Sequence, residues 1–328
     1  MSTTGNSKPA LPLSWNARLL LAAFGVLLAL GTSEGALRAA RFHFDLVPTL
    51  QFGWPDAVAL RDAYVPDPDL IWVTRDYRVS LRAARRAHPG VVFMGDSCTE
   101  FGTYPTRTIE KLRAAGSDLS TGVKLGVGGW STEQGLTQLR RDIIPLHPRV
   151  ITIYYGWNDH WEAMGLTDPE IARAYRLRTI AAHLRLAQLW LKITVNDAAR
   201  RKPAPNRVPL PDYADNLRYM ATEAGRAGII PVFVTAPSNH VPGHEPAYLA
   251  VRHLRALTDL VPLHTAYVEE TRRAGRNTGT QVCDAAATFT VLPAPHDRLF
   301  QKDGIHLTAA GDEEMAHILS ECLLKLKR

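Results

Sequence analysis

Two hydrophobic periods alternate along most of this chain. Short runs of consecutive apolar residues, many of them β-branched, predict strands at 91–94, 123–125, 150–155, 229–235 and 281–284. Because these runs are apolar at successive positions, we expect each strand to be buried on both faces. Apolar stripes at helical spacing predict helices between the strands, at 109–115, 133–144, 169–199, 213–227 and 309–325. The alternation indicates an α/β fold in which helices cover both sides of a parallel sheet.

The N-terminal part of the chain has a different pattern. Residues 19–31 form an uncharged apolar run that follows Lys8 and Arg18, and residues 19–37 contain a single acid, Glu34. This length is enough for a tilted membrane span. Since no small-x-small cleavage motif follows the run, we favour an uncleaved signal anchor at 19–37. The alternatives are a cleaved signal peptide, which would leave a secreted or periplasmic protein, and a buried core helix.

The remaining divisions follow from these two patterns. The basic flank predicts that the leader, 1–18, stays in the cytoplasm and that the rest of the chain lies outside it. Residues 38–89 have no regular period and predict an irregular connector with short strands, and 90–328 form the predicted catalytic domain. Four prolines within 200–211 indicate a surface loop there.

Composition narrows the class of protein. The chain has 328 residues, of which 46% are hydrophobic and 21% charged, and its formal net charge is +6. These values are typical of globular proteins and exclude a wholly disordered or collagen-like chain. The positive charge is too small and too scattered for a nucleic-acid-binding arm, so we expect no nucleic-acid partner.

Cysteine and histidine spacing gives no indication of a metal site. Cys98, Cys283 and Cys322 include no C-x-x-C pair, and His240, His244 and Glu245 do not form H-E-x-x-H. We therefore expect no metal and no cofactor. Whether Cys283 and Cys322 form a disulfide stays open, because their separation in space cannot be derived from sequence.

Polar residues follow three of the predicted strands. Ser97 comes after the first strand in Gly-Asp-Ser, Gly129 lies in the glycine-rich segment 126–131 after the second, and Asn158 follows the third. The C-terminal strand ends of such a sheet usually form the site. Taken singly, however, each residue also fits an ordinary helix cap or turn. The glycine segment ends in Ser131 and so lacks the G-x-G-x-x-G pattern of a dinucleotide site.

A histidine with an acid three residues before it precedes the last predicted helix. At this spacing the carboxylate of Asp303 can accept a hydrogen bond from Nδ1 of His306, which leaves Nε2 free to take a proton from a hydroxyl group. With Ser97 as the hydroxyl, these are the groups needed for acyl transfer. The rival histidines, His160 and His296, lack the D-x-x-H arrangement.

These four blocks resemble the SGNH (GDSL-type) hydrolase family, over roughly residues 90–325. The family is named for Ser, Gly, Asn and His in four separated blocks, which here are similar to Ser97, Gly129, Asn158 and His306, with Asp303 completing a triad. The resemblance implies a flavodoxin-like three-layer α/β/α sandwich with a five-stranded parallel sheet. It also implies a metal-independent serine esterase, lipase or carbohydrate O-deacetylase, in which the backbone N–H groups of Ser97 and Gly129 and the Asn158 side chain form the oxyanion hole.

The sequence departs from the family pattern at two places. Phe101 adds one residue before Gly102, and Lys124 or Leu125 stands where the family often has Asn. The choice of Gly129 over Gly128 rests on alignment alone. The α/β-hydrolase fold, which needs G-x-S-x-G, is disfavoured because Thr99 occupies the final glycine position.

The expected function is hydrolysis of carboxylic esters at the cell envelope through an acyl-enzyme. The expected substrates are an acetylated glycan, a lipid or a small ester, and the expected membrane contact is the N-terminal helix. Trp130, Trp157 and Trp161 lie near the predicted crevice in sequence; tryptophans stack well on sugars, but they are also common core residues. The alternatives are an O-acyltransferase and a non-catalytic accessory protein of envelope polysaccharide modification.

Overall fold

The computed structural model describes residues 14–44, 63–163, 165–176, 183–198, 200–251, 253–293 and 296–326. Most of the predicted leader and Trp54-Pro55 of the predicted connector lie outside these ranges. The chain divides into two compact units, one made of residues 1–46 and 177–194 and the other of residues 47–176 and 195–328. We describe each unit separately.

The first unit contains a long apolar helix, α1 (Trp15–Ala39), and most of a shorter one, α7 (Arg185–Ala198). The Ser14 hydroxyl caps α1 by accepting a hydrogen bond from the Ala17 N–H at 3.3 Å. No side chain of α1 is buried within the described part of the chain. By length and composition α1 can cross a membrane, as the sequence predicts.

The start of α7 corrects the prediction of one continuous helix over 169–199. The structure has α6 (Asp168–Arg176) and α7 as separate helices, with a turn at His183; residues 177–182 lie outside the description. The Glu34 carboxylate accepts hydrogen bonds from the N–H groups of Arg185 and Leu186, at 3.0 and 2.9 Å. In a continuous helix these N–H groups would instead bond to carbonyls one turn earlier.

The second unit is built on a five-stranded parallel sheet, which confirms the predicted α/β/α fold. A separate two-stranded hairpin supplies β1 and β2, and the sheet order is β4-β3-β5-β6-β7. Every predicted strand is present, with its ends shifted by at most two residues. The strands are β3 (Val91–Gly95), β4 (Gly122–Lys124), β5 (Val150–Tyr154), β6 (Ile230–Val234) and β7 (Gln281–Cys283).

Alternate residues of the strands enter two different cores. Val92 and Met94 belong to one buried apolar cluster, whereas Val91 and Phe93 belong to the other. Both clusters are covered by helices, which explains why the strands are apolar at successive positions. Besides α6, the α-helices that the structure describes in this unit are α2 (Tyr77–Ala87), α3 (Ser97–Phe101), α4 (Tyr104–Ala114), α5 (Thr132–Gln138), α8 (Leu210–Arg226), α9 (Leu260–Thr278), α10 (Ala285–Val291) and α11 (Ala309–Leu324). The helix predicted over 133–144 is α-helical only to Gln138 and continues as a π-helical turn, Leu139–Ile143.

The predicted connector, 38–89, contains regular structure in its described part. β1 (Tyr64–Asp67) and β2 (Ile71–Thr74) form an antiparallel hairpin, and α2 follows directly. The buried side chains of this segment lie in the same apolar cluster as Val92 and Met94. The segment therefore contributes to the core of the second unit.

A disulfide settles the question that sequence left open. Cys283 at the end of β7 is bonded to Cys322 in α11. The remaining cysteine, Cys98, is a buried free thiol.

Candidate active site

Ser97 occupies the first position of the short helix that follows β3, the strand between β4 and the central strand β5. Asp96 caps this helix, because its Oδ1 accepts a hydrogen bond from the Cys98 N–H at 2.9 Å. Only glycine fits at position 95, since a Cβ there would lie 2.7 Å from the Tyr154 carbonyl oxygen. The chain can thus turn sharply out of the sheet and place Ser97 at the C-terminal strand ends.

The structure brings the predicted serine, histidine and acid together. Nε2 of His306 lies 2.9 Å from Oγ of Ser97, and Nδ1 of His306 lies 2.5 Å from Oδ2 of Asp303. The second carboxylate oxygen of Asp303 accepts hydrogen bonds from the N–H groups of Ile305 and His306, at 2.9 and 3.0 Å. Asp303 therefore holds both the imidazole ring and the turn that carries it.

The hydrogen bonds around Asp303 favour its ionised form. Burial opposes ionisation, but the His306 ring and the N–H groups of Ile305 and His306 outweigh it and lower the pKa of Asp303. An ionised carboxylate at this place accepts a hydrogen bond from Nδ1–H and so favours the tautomer of His306 whose Nε2 can accept a hydrogen bond from Ser97.

Asn158 is buried beside the same helix start. Its Nδ2 donates to the Trp130 carbonyl at 3.0 Å and to Oδ2 of Asp96 at 3.2 Å. Burial raises the pKa of Asp96 to about 6, although the Cys98 N–H, His306 and Asn158 all oppose this effect. The two acceptors fix the orientation of the Asn158 amide.

The N–H groups of Gly128 and Gly129, the two candidates in the glycine segment, differ in their hydrogen bonding. Gly128 donates its N–H to Oε2 of Glu100 at 2.5 Å, so that group is already engaged. Gly129 has φ of +79°, a conformation that favours glycine. Within the described residues, no hydrogen bond uses the N–H of Gly129 or that of Ser97.

Three residues that the sequence analysis did not single out hold this segment in place. Trp72 of β2 donates through Nε1 to the Gly128 carbonyl at 3.0 Å, and Glu100 also accepts from the Tyr64 hydroxyl at 2.9 Å. Arg207 donates to the Gly129 carbonyl at 2.8 Å.

Arg207 lies in the proline-rich segment 200–211, which is mostly a loop, as the sequence predicts, and it links this loop to the glycine segment. Its guanidinium is buried and paired with the equally buried Asp168 at 2.7 Å. Asp168 in turn accepts from the Ser131 hydroxyl at 2.7 Å. The proline-rich pattern is typical of a loop, but it gives no indication that one arginine of the loop is buried under the glycine segment.

A small cleft of about 80 Å³ lies over Ser97 and His306. Trp157 and Trp161 line it, as do Tyr248 and Leu249. Trp130 does not, because it is fully buried and packs edge-on against Tyr77, at 5.8 Å between ring centroids. Of the two interpretations that the sequence left open for the three tryptophans, ligand stacking or core packing, Trp130 has the second.

The other histidines of this region have different surroundings. Nε2 of His160 lies 3.3 Å from Nδ1 of His264, and both rings are buried. Burial lowers the pKa of His160 and lowers that of His264 to about 4. Nε2 of His240 contacts the Asp303 carbonyl at 2.7 Å, while the side chain of His296 lies outside the description. In the described ranges, His, Cys, Asp and Glu side chains form no group of three suited to a metal ion.

The described geometry suits acyl transfer. It combines a buried serine hydroxyl, a histidine nitrogen within hydrogen-bond reach of it, and a carboxylate that orients the histidine ring.

Comparison with known proteins agrees with this chemistry. The model of a family described as GDSL-like lipase/acylhydrolase matches residues 93–313, more than half of the chain. No curated protein matches the sequence of this chain.

Solved structures with a similar fold include a lipase/acylhydrolase from Enterococcus faecalis (18% identity, covering 70% of this chain and 93% of that one, TM-score 0.47). A GDSL-like lipase from Bacteroides thetaiotaomicron has 15% identity over 76% of this chain and 98% of that one, with a TM-score of 0.48. An acetyl xylan esterase has 15% identity over 71% of this chain and 98% of that one, with a TM-score of 0.47.

Proposed function

The chain belongs to the GDSL-like lipase/acylhydrolase family and is an ester-bond hydrolase; from this premise we propose that Ser97 is its nucleophile, His306 its general base and Asp303 the residue that orients the base. The observation that carries the proposal is the continuous hydrogen-bonded chain from Ser97 to His306 to Asp303, with distances of 2.9 and 2.5 Å. No cofactor takes part in this mechanism.

The proposed reaction has two steps. Nε2 of His306 takes the Ser97 proton as Oγ attacks the ester carbonyl carbon, and the protonated ring then gives this proton to the leaving alcohol. Water attacks the resulting acyl-enzyme with the help of the same imidazole, which releases the acid and restores Ser97. Asp303 stabilises the imidazolium in both steps.

The tetrahedral intermediate of each step carries a negative charge on the former carbonyl oxygen. We assign its stabilisation to the N–H groups of Ser97 and Gly129 and to the Asn158 amide. The first two donors have no partner within the described residues, and Asn158 can share the longer of its two hydrogen bonds, the one to Asp96 at 3.2 Å. Each such donor typically contributes about 3–4 kcal/mol to the transition state.

The cleft supports a short acyl group. The cleft over Ser97 has a volume of about 80 Å³ and is lined in part by Trp157, Trp161 and Leu249, which favours a short acyl group such as acetyl. Trp157 and Trp161 border the cleft but are only 2% and 5% exposed, so the choice between an acetylated glycan and a small ester does not rest on them. On a graded series of p-nitrophenyl esters, we expect kcat/KM to fall steeply beyond the propionate.

Ser97→Ala and His306→Ala test the assignment. With p-nitrophenyl acetate, each variant should lose at least about 10³-fold in kcat. Ser80→Ala and His317→Ala, which lie in α2 and α11, serve as matched controls and should retain activity. Full activity in either Ser97 or His306 variant would remove the proposal.

A fluorophosphonate probe separates the enzyme from a non-catalytic binding protein. It should label Ser97 in the folded chain, because the probe reacts with an activated serine. Folded protein that stays unlabelled would favour the accessory role. Product analysis with an added sugar acceptor distinguishes hydrolysis from acyl transfer to that sugar.

We also propose that α1 is retained as a membrane anchor, with the hydrolase unit on the extracytoplasmic side. Two observations support this. Glu34 and Arg38 of α1 bind the backbone around the start of α7, which favours a helix that remains in the mature protein. The Cys283–Cys322 disulfide is typical of proteins that fold in an oxidising compartment.

A further inference from the structure

Helix α7 has two apolar faces, and only one of them is buried. Leu191 and Ala198 are buried on the first face. The second face follows the i, i+3, i+4, i+7 spacing of a helix and is named here the α7 outer face: Leu186, Leu189, Trp190 and Ile193. Trp190 is 54% exposed and Ile193 is 58% exposed. A helix that is apolar on both sides is expected to have a second apolar environment.

The contacts of α7 place its first turn at the end of the apolar segment of α1. Glu34 accepts the N–H groups of Arg185 and Leu186, and Arg38 donates to the His183 carbonyl at 2.7 Å. The uncharged segment of α1, residues 19–33, rises about 22 Å as a helix, and the hydrocarbon layer is about 30 Å thick. Because Arg18 can extend toward the opposite surface, Glu34 lies close to one edge of that layer.

The residues near the contact between α1 and the first turn of α7 are of types that are common at membrane interfaces. Arg185 contacts Nδ1 of His43 at 2.8 Å, and Lys192 lies 5.6 Å from the centre of the Phe42 ring. Basic side chains next to tryptophan and aliphatic residues are typical of helices that lie in the headgroup region of a bilayer.

We propose that the α7 outer face inserts into the interfacial layer of the membrane, with phospholipid as its occupant. This inference rests on the proposed anchoring by α1, since it is the α1 contacts that put α7 at the level of the headgroups. The protein then has two lipid contacts, one that spans the bilayer and one that lies on it.

Site-specific fluorescence tests the proposal on the full chain in vesicles of phosphatidylcholine and phosphatidylglycerol. Ile193→Cys carries a polarity-sensitive dye. Its matched control is Lys192→Cys, one residue earlier and about 100° around the helix. The unsubstituted chain, whose free thiol Cys98 is buried, gives the labelling blank. With lipids that carry a nitroxide at a shallow acyl position, the dye at 193 should be quenched about twofold or more, and the dye at 192 clearly less.

The outcomes separate this inference from the anchoring on which it rests. Extraction of the chain from the vesicles by alkaline carbonate would overturn the anchoring itself. If the chain stays embedded but the dyes at 193 and 192 are quenched equally, α7 does not insert. A dye at 193 that lipid does not quench, together with crosslinking between copies through 193, would identify a second copy of the chain as the occupant and would also overturn the proposal.

Discussion

At the scale of single residues, the site depends on side chains that never touch the ester. His306 points at Ser97 because Asp303 holds its ring, and Asp303 holds the turn because its second oxygen accepts two backbone N–H groups. The Gly129 N–H shares a peptide plane with the Gly128 carbonyl, which Trp72 holds, and the next carbonyl, that of Gly129, is held by Arg207. Positioning of this kind is what allows donors to act without reorganising during the reaction.

Asp303→Asn should disable the base and leave the fold intact. The asparagine can keep the oxygen that accepts from Ile305 and His306, but its amide directs a donor at Nδ1 and so forces the wrong tautomer of His306. We expect kcat on p-nitrophenyl acetate to fall by about 10⁴-fold, with little change in KM. Asp297 accepts an exposed hydrogen bond from Asn239, so Asp297→Asn is the matched control. A loss smaller than tenfold would contradict the role given to Asp303.

Arg207→Lys should act on kcat through the glycine segment. Lysine retains a positive charge toward Asp168 but cannot donate to Asp168 and to the Gly129 carbonyl in the fork geometry of arginine. We expect kcat to fall about 10–100-fold, part of the cost of losing one oxyanion donor, with KM nearly unchanged. Arg201 lies in the same loop as Arg207 and forms a partly exposed ion pair with Glu170. Arg201→Lys is therefore the matched control and should leave kcat unchanged. A change confined to thermal stability would make Arg207 a purely structural residue.

The residues of the proposed site could be predicted from sequence, whereas those that hold it in place could not. Ser97, Asn158 and His306 belong to short motifs that are ambiguous singly but indicate acyl transfer when they occur together in one chain. Trp72 and Arg207 act through single contacts with a segment far away in the sequence, and nothing in their own neighbourhoods indicates that contact.

At the scale of elements, the sequence predicted the strands, which are buried on both faces. It did not predict the helix boundary that depends on a contact with a distant part of the chain. The strands could be identified because both of their faces are covered by helices. Short strands were expected in the connector, but their positions and helix α2 were not predicted, since Pro66 and the charges around it hide the short apolar runs that enter the core. The helix predicted over 169–199 is divided because Glu34, from the N-terminal part of the chain, caps the start of α7.

The packing of α9 against the segment after β5 should make stability depend on pH. His264 of α9 stacks on Trp157, with 3.9 Å between ring centroids, and donates to or accepts from groups that are themselves buried. Burial lowers the pKa of His264 to about 4 from an ordinary value of 6.5. The unfolded chain therefore binds a proton at a higher pH than the folded one. The stabilisation that comes from keeping His264 neutral is fully present above pH 6.5. As the pH falls toward 4, the free energy of unfolding decreases by up to about 3 kcal/mol.

His264→Gln tests this dependence. Glutamine cannot take up a proton, so the variant should lose less thermal stability between pH 7 and pH 4.5 than the unsubstituted protein does. Melting curves at several pH values measure the difference. His317→Gln, at an exposed position of α11, should keep the original dependence. An unchanged pH profile for His264→Gln would show that His264 does not couple folding to protonation.

At the scale of the whole molecule, the two units carry different kinds of information about where the protein works. The first unit contains a helix long and apolar enough to cross a membrane. The second contains the disulfide between Cys283 and Cys322, which are 39 residues apart in the sequence. A bridge of this kind forms and persists in oxidising compartments. Both features agree with a hydrolase that stands outside the cytoplasm and remains attached to the membrane.

Reporter fusions at the C-terminus of the full chain should reveal this orientation in bacterial cells. Alkaline phosphatase folds only outside the cytoplasm, so its fusion should be active, whereas a green fluorescent protein fusion exported in the unfolded state should be dark. The proposed orientation rests on Lys8 and Arg18, which precede the apolar segment of α1, because positive flanks are retained in the cytoplasm. Replacing Lys8 and Arg18 by Glu and adding lysines directly after α1 should therefore shift both reporters toward the opposite result. In the unaltered chain, Cys283 and Cys322 should resist alkylation until a reductant is added. A bright fluorescent fusion together with freely alkylated cysteines would place the hydrolase unit in the cytoplasm.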